Sequence, residues 1–238
     1  MAQRVLVTRP EPGATRTARR LEALGFEPVL LPLSETRALP VARDSVPADA
    51  TAIAVTSANA LRHAPSGLIE RLRRLPCHAV GARTAESARK AGFFSVNEGP
   101  GDAAALADMI SIELGETTLA YLCGRVRMPD FERRLGSNGT RVVPIETYDT
   151  IALSPDPSFV RQQLGGQPID AVLIYSARSA AAFGTLMQRH AEADLLMRGA
   201  TCFCLSGRIA AALVDGLRVE VALDPNEDAL LDLLGVSD

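Results

Sequence analysis

The chain is written twice. Residues 53–61 read "IAVTSANAL", a buried apolar run that stops at a hydroxyl pair, Thr56 and Ser57, and turns straight into a helical pattern; residues 173–181, "LIYSARSAA", do nearly the same. Setting Ala52 opposite Ala171 extends the match: "HAVGARTAESARKAGF" parallels "FCLSGRIAAALVDGL", and "GPGDAAALADMI" parallels "DPNEDALLDLL". The opening "RVLVTRPEPGATRTARRLEALGFEPVLLPLSET" has its own partner in "TLAYLCGRVRMPDFERRLGSNGTRVVPIETYDT". The order is therefore short block, long block, short block, long block.

Each unit alternates a short run of Val, Ile, Leu or Ala with apolar residues at three- and four-residue spacing. That pattern predicts parallel sheets covered by helices. One helix is expected from about Glu11 to Leu24, with Ala14, Ala18, Leu21 and Leu24 on its apolar face and Gly25 as its stop. Another follows Asp102 as N-cap, turns Leu106, Met109, Ile110 and Leu114 inward and ends at Gly115. A chain of 238 residues with 47% hydrophobic content supports two α/β domains. The Pro-marked stretches "LLPLSETRALP" and "VVPIETYDTIALSP" occupy equivalent places and read as extended crossings. Either short block could complete either sheet, and pattern alone leaves both arrangements open.

Open parallel sheets bind ligands beyond the carboxyl ends of their strands, where helix N-termini present unpaired N–H groups. Here those ends carry Arg9, Thr56 with Ser57, Arg83 with Thr84, Arg125, Ser176 with Arg178, and Ser206 with Arg208. Any one of these is ordinarily a solvated arginine or a helix cap. Together they would line a cleft between the domains with anion donors. Charge-assisted hydrogen bonds contribute about 1.5 to 3 kcal/mol each, so the repetition points to a ligand with several carboxylates or phosphates.

Other chemistries lose support. With 28 acidic and 25 basic residues the net charge is -3, which gives no bulk attraction to nucleic acid or an anionic membrane. The three histidines, His63, His78 and His190, form no spaced metal motif with Cys77, Cys123, Cys202 and Cys204, which read as reduced core thiols. There is no GxGxxG after the first strand, no phosphate loop, no GxSxG and no HExxH. No metal and no cofactor is expected. No apolar stretch is long enough to span a bilayer and "MAQRVLVTRP" carries no cleavage site, so a cytoplasmic location is expected, with a monomer as the default.

In this order and at these separations, "VLVTRPEP", "FEPVLLPL", "VTSANAL", "AVGARTAESARKAGF", "VVPIETYDT" and "YSARSAAAF" resemble uroporphyrinogen-III synthase, over essentially the whole chain. The resemblance implies two similar parallel-sheet, flavodoxin-like α/β domains joined by a two-stranded linker. The first would be discontinuous, 1–34 plus 152–238; the second would be 39–146; the linker would be 35–38 and 147–151.

The implied substrate is hydroxymethylbilane, a linear tetrapyrrole with eight carboxylates. It is cyclised with loss of water and inversion of ring D through a spiro intermediate. Tyr148 in "ETYDT" matches the family's linker tyrosine, and the resemblance implies a catalytic role for it, as proton donor to the departing hydroxyl or as the group that orients the substrate. Thr84, Thr56, Ser57 and Ser176 match positions that contact substrate. The sequence departs from the family at Ile209, where many members carry threonine, and Arg208 or helix N-terminal amides are expected to substitute. The residues alone also fit a two-domain anionic small-molecule binding protein without catalysis, or a transferase with twin nucleotide-binding domains.

Overall fold

The computed structural model describes residues 2–127 and 129–235. The chain divides into two compact units, one built from the chain up to Glu35 together with the chain from Ile151 onward, the other from Thr36–Thr150. In chain order the elements begin with β1 (Arg4–Val7), α1 (Gly13–Ala23), β2 (Glu27–Leu30) and β3 (Ser34–Ala38). They continue with β4 (Ala50–Val55), α2 (Ala58–Arg62), α3 (Ser66–Leu72), β5 (Cys77–Ala79), α4 (Ala82–Ala91), β6 (Val96–Glu98) and α5 (Ala103–Leu114). Next come β7 (Thr118–Gly124), α6 (Asp130–Ser137), β8 (Arg141–Ala152) and α7 (Pro157–Leu164). Last are β9 (Ala171–Ile174), α8 (Ala177–Arg189), α9 (Ala191–Met197), β10 (Thr201–Cys204), α10 (Gly207–Ala210), β11 (Arg218–Val221) and α11 (Glu227–Asp232).

The first unit holds a sheet ordered β11-β10-β9-β1-β2, with every neighbouring pair parallel. The second holds a sheet ordered β3-β8-β7-β4-β5-β6. Reading each unit from its long block onward gives the same sequence of neighbours: β4, β5 and β6 correspond to β9, β10 and β11, and β7 and β8 correspond to β1 and β2. The repeat in the sequence is thus a repeat of topology. In both units strand order reverses where the long block meets the short one, between β4 and β7 and between β9 and β1. Crevices at such reversals are where open parallel sheets bind ligands.

Side chains alternate across each sheet, as the two-residue strand period requires. In the first unit Val5 and Val7 join one core cluster while Leu6 joins the other. In the second, Ile53 and Val55 face one cluster, and Ala52 and Ala54 the other. Both sheet faces are covered by helices, and burial of each such Leu, Ile or Val contributes about 1.5 to 3 kcal/mol.

The two helices foreseen from the sequence form with small shifts at their ends. α1 buries Ala14, Ala18 and Leu21, but Leu24, expected on the same face, is the C-cap and stands exposed; Gly25 follows it at φ 86°. α5 is capped by Asp102, whose carboxylate accepts from the N–H groups of Ala104 and Ala105, and Gly115 ends it.

β3 and β8 carry the chain between the units. Their backbones pair antiparallel: the Leu39 N–H donates to Thr147 O at one end of the pair and the Leu153 N–H to Leu33 O at the other. Cys77, Cys123, Cys202 and Cys204 are buried free thiols on strands. Among the described residues no helix is long and apolar enough to cross a membrane.

Candidate functional site: the strand ends and the Tyr148 phenol

In the second unit the reversal lies between the ends of β4 and β7. Thr56 directly follows β4, and its hydroxyl shares a 2.7 Å hydrogen bond with the Tyr121 phenol of β7. Tyr121 is buried against Phe131, and that burial pushes its pKa up to about 12, so it stays a neutral phenol. Ser57 caps α2, its Oγ accepting from the Asn59 N–H. Both residues fix the strand-to-helix turn, and Ser57 keeps its hydroxyl proton for another acceptor.

Tyr148 owes its place to a register shift. Cys123 pairs with Glu146 but Gly124 pairs with Tyr148, so β8 advances two residues while β7 advances one. A bulge of this kind bends the strand and re-aims a side chain. It brings Tyr148 rather than Thr147 opposite Gly124 and packs the tyrosine ring against the cluster that contains Ile145. The Arg125 N–H donates to Tyr148 O, which holds the bulge in place. A Cβ on Gly124 would stand 2.7 Å from Tyr148 Cζ, so only glycine leaves the phenol its room. Thr147, fully buried, donates to Ala60 O at 2.7 Å and ties α2 to β8.

Arg125 projects next to this phenol-bearing strand and is shared by two carboxylates, Glu146 at 3.3 Å and Asp149 at 3.6 Å. Arg83 lies exposed in the first turn of α4, whose Gly81 N-cap supplies no side-chain acceptor to the turn's amides. Thr84 sits beside it but is buried, with 6% of its surface exposed.

In the first unit the reversal lies between β9 and β1. Ser176 caps α8, accepting from the Ser179 N–H and meeting the Ser179 hydroxyl at 2.9 Å. Arg178 is half-buried in the same turn. Ser206 precedes α10 and makes no capping bond from its side chain, and Arg208 follows it, exposed.

Arg9 is held in a network that the sequence did not reveal. Its guanidinium lies 4.1 Å over the Tyr175 ring, donates to Glu227 at 2.6 Å, and crosses the start of α1, where a Cβ on Gly13 would be 2.6 Å from its Nε. Glu227 also accepts from the hydroxyls of Thr17 and Tyr175. Burial alone would raise the Glu227 pKa, but the Thr17 hydrogen bond, the Arg9 charge and the Tyr175 hydrogen bond outweigh it and hold the carboxyl below its ordinary range. Tyr175 is pushed the other way, up to about 12, first by burial and then by the Glu227 charge.

The strand-end positions thus sit in the first turn of a helix, at the cap before it, or just beyond a strand at the reversal point of a sheet; Thr84 faces the core, and the Thr56 hydroxyl and the Arg9 and Arg125 guanidinium groups are already engaged. Glu227, Tyr175 and Tyr121 were missed because their partners lie far away in the chain. The only sequence signal for Glu227 is an acidic first turn in "NEDALL", which also reads as ordinary helix capping.

A family model described as uroporphyrinogen-III synthase HemD matches residues 15–232. The chain belongs to that family. Among solved structures, the uroporphyrinogen-III synthetase of Helicobacter pylori 26695 superposes with a TM-score of 0.69 at 19% identity, covering 98% of each chain. A mutant uroporphyrinogen III synthase of the extremely thermophilic bacterium Thermus thermophilus gives a TM-score of 0.53 at 22% identity, covering 98% of this chain and 97% of that one. At these identities the likeness is one of fold, and the HemD family fold is that of the two parallel-dominated sheets described above. Comparison with curated proteins gives no match.

Proposed function

We propose that this chain converts hydroxymethylbilane to uroporphyrinogen III, in the cytoplasm and as a monomer, using no cofactor, metal, nucleic acid or membrane partner. Membership of the HemD family across residues 15–232 carries this reading. The units act as domains, 1–34 with 152–238 and 39–146, with 35–38 and 147–151 as the linker.

The substrate's eight carboxylates call for many weak, directional donors rather than one strong site. We assign them to Arg83, Arg178 and Arg208, to the Ser57, Ser176 and Ser206 hydroxyls, and to the N-terminal end of α4. Arg125 contributes by exchanging Asp149 for a substrate carboxylate. Arg9 and Thr56 hold their strand ends in shape, the first through Glu227 and the second through Tyr121, and Thr84 packs α4 beneath Arg83.

The chemistry requires the terminal hydroxyl to leave as water. Tyr148 donates its phenolic proton to that hydroxyl, the carbon–oxygen bond breaks with loss of water, and the substituted carbon of ring D attacks the resulting methylene cation to give the spiro intermediate. Fragmentation and reclosure invert the ring, and the proton lost when the closing pyrrole becomes aromatic again balances the one donated. The bilane closes unaided to the uninverted isomer, so the protein's main contribution is orientation. An anion-binding module without turnover would need the same strand ends, but the family is one of enzymes. The test is whether the purified chain diverts bilane formed in situ to the type III isomer.

A further inference from the structure

The Tyr148 phenol is seated from a second direction by a residue that matches no motif. His63 is the C-cap of α2, placed by its N–H donating to Asn59 O. The Thr147–Ala60 hydrogen bond pins that short helix to β8, one residue from Tyr148. From there the His63 imidazole stacks on the Tyr148 ring, with centroids 5.8 Å apart and planes 26° from parallel. Its Nε2 lies 2.9 Å from Thr36 Oγ1 on β3, the strand that neighbours β8 on the side away from β7. The ring is thus tethered at its tip by one neighbouring strand and carried on a helix tied to β8 itself. Centroid distances of about 4.5 to 7 Å with offset planes are those of favourable ring pairs.

We propose that His63 is a positioning residue, which holds the Tyr148 phenol in the direction required for proton donation while Thr36 fixes the imidazole. This rests on the role assigned to Tyr148 above. The imidazole needs no charge to do this, because half-burial, then the neighbouring Arg62, lowers its pKa and it stacks as a neutral ring at neutral pH.

A structural role and a positioning role separate in two readouts. The chain has three tyrosines and no tryptophan, so protein labelled with ring-¹³C tyrosine gives a simple spectrum in which Tyr148→Phe assigns the Tyr148 signal. His63→Ala is expected to move that signal and leave those of Tyr121 and Tyr175 in place. In the bilane assay it is expected to lower kcat about tenfold with KM unchanged, to do nothing further in a Tyr148→Phe background, and to be partly rescued by His63→Phe, which restores a stacked ring. Thr36→Val, which removes only the tether, is expected to lower kcat in the same direction by a smaller factor. An unmoved Tyr148 signal would overturn the seat. A kcat loss that multiplies with that of Tyr148→Phe would overturn the positioning role. If the unsubstituted chain produced only the type I isomer, the functional reading itself would fall, while the spectrum would still decide the seat.

Discussion

Gly124 faces the Tyr148 phenol across the β7–β8 pair, so closely that an added methyl would lie 2.7 Å from Cζ and 3.0 Å from the hydroxyl oxygen. Gly124 is not among the glycines at positive φ, so alanine fits its backbone and the whole displacement falls on the tyrosine ring. Gly124→Ala is expected to keep a urea midpoint close to that of the unsubstituted chain while kcat falls at least about tenfold, as expected for a misplaced catalytic group. Full turnover by this variant would show that the phenol's position does not matter.

Arg83 and Arg208 occupy equivalent places in the two units, each in the first turn of the helix after the second strand of a long block. Both are exposed, so their removal leaves no cavity. Arg83→Ala and Arg208→Ala are each expected to raise KM about tenfold or more, corresponding to about 1.5 to 3 kcal/mol of a charge-assisted contact, and to weaken more at low than at high salt. Unchanged KM in both variants would remove the arginines from carboxylate binding.

Glu227 gathers Arg9, Thr17 and Tyr175, with side-chain exposures of 16% for Arg9 and 14% for Glu227. Glu227→Gln leaves the Arg9 charge nearly buried without its counter-ion, and a loss of about 2 to 4 kcal/mol in unfolding free energy is expected. Because the folded-state pKa of Glu227 is depressed, its contribution is complete above the unfolded value near 4.5 and is lost as pH falls through the folded value. Urea titrations at pH 7 and at successively lower pH below 4.5 read both effects: the variant should be weaker at the first, and the difference should shrink below pH 4.5 and vanish only once the folded-state carboxyl is protonated.

His78 is 1% exposed on β5, and among the described residues neither ring nitrogen has a hydrogen-bond partner; the Glu113 carboxylate is 3.6 Å from Nδ1. Burial lowers its pKa below 6.5, and Glu113 only partly opposes this. The unfolded chain therefore takes up the proton first, and stability that is complete above about pH 6.5 declines as pH falls below it. His78→Leu is expected to flatten the dependence of the urea midpoint on pH between about 7 and 5. An equally steep slope in the variant would contradict the account of His78 as a buried neutral ring.

The repeat was legible because each strand-to-helix turn leaves a local trace: an apolar run, a hydroxyl or arginine, then helical spacing. Asp102 and Gly115 announced α5 in the same way. Which short block completes which sheet had no such trace, since the pairing of Val5 with Ala171 is a matter of hydrogen bonds between residues far apart in the chain. The strand-end arginines were legible as positions but not as partners. The Glu227 that engages Arg9 and the Glu146 and Asp149 that share Arg125 come from other elements, and the charge balance of a strand end is set only when those elements meet. The bulge that aims Tyr148 and the imidazole that stacks on it were invisible for a further reason: a one-residue change of register and a lone histidine at a helix end leave no periodic signal.

The most direct measurement is the isomer ratio of the product. Hydroxymethylbilane is generated in situ, the chain or its Tyr148→Phe variant is added, and the oxidised products are separated by chromatography. The account predicts predominantly type III from the unsubstituted chain and a shift toward type I, the spontaneous product, from the variant at equal concentration. Type I alone from folded, unsubstituted protein would contradict it.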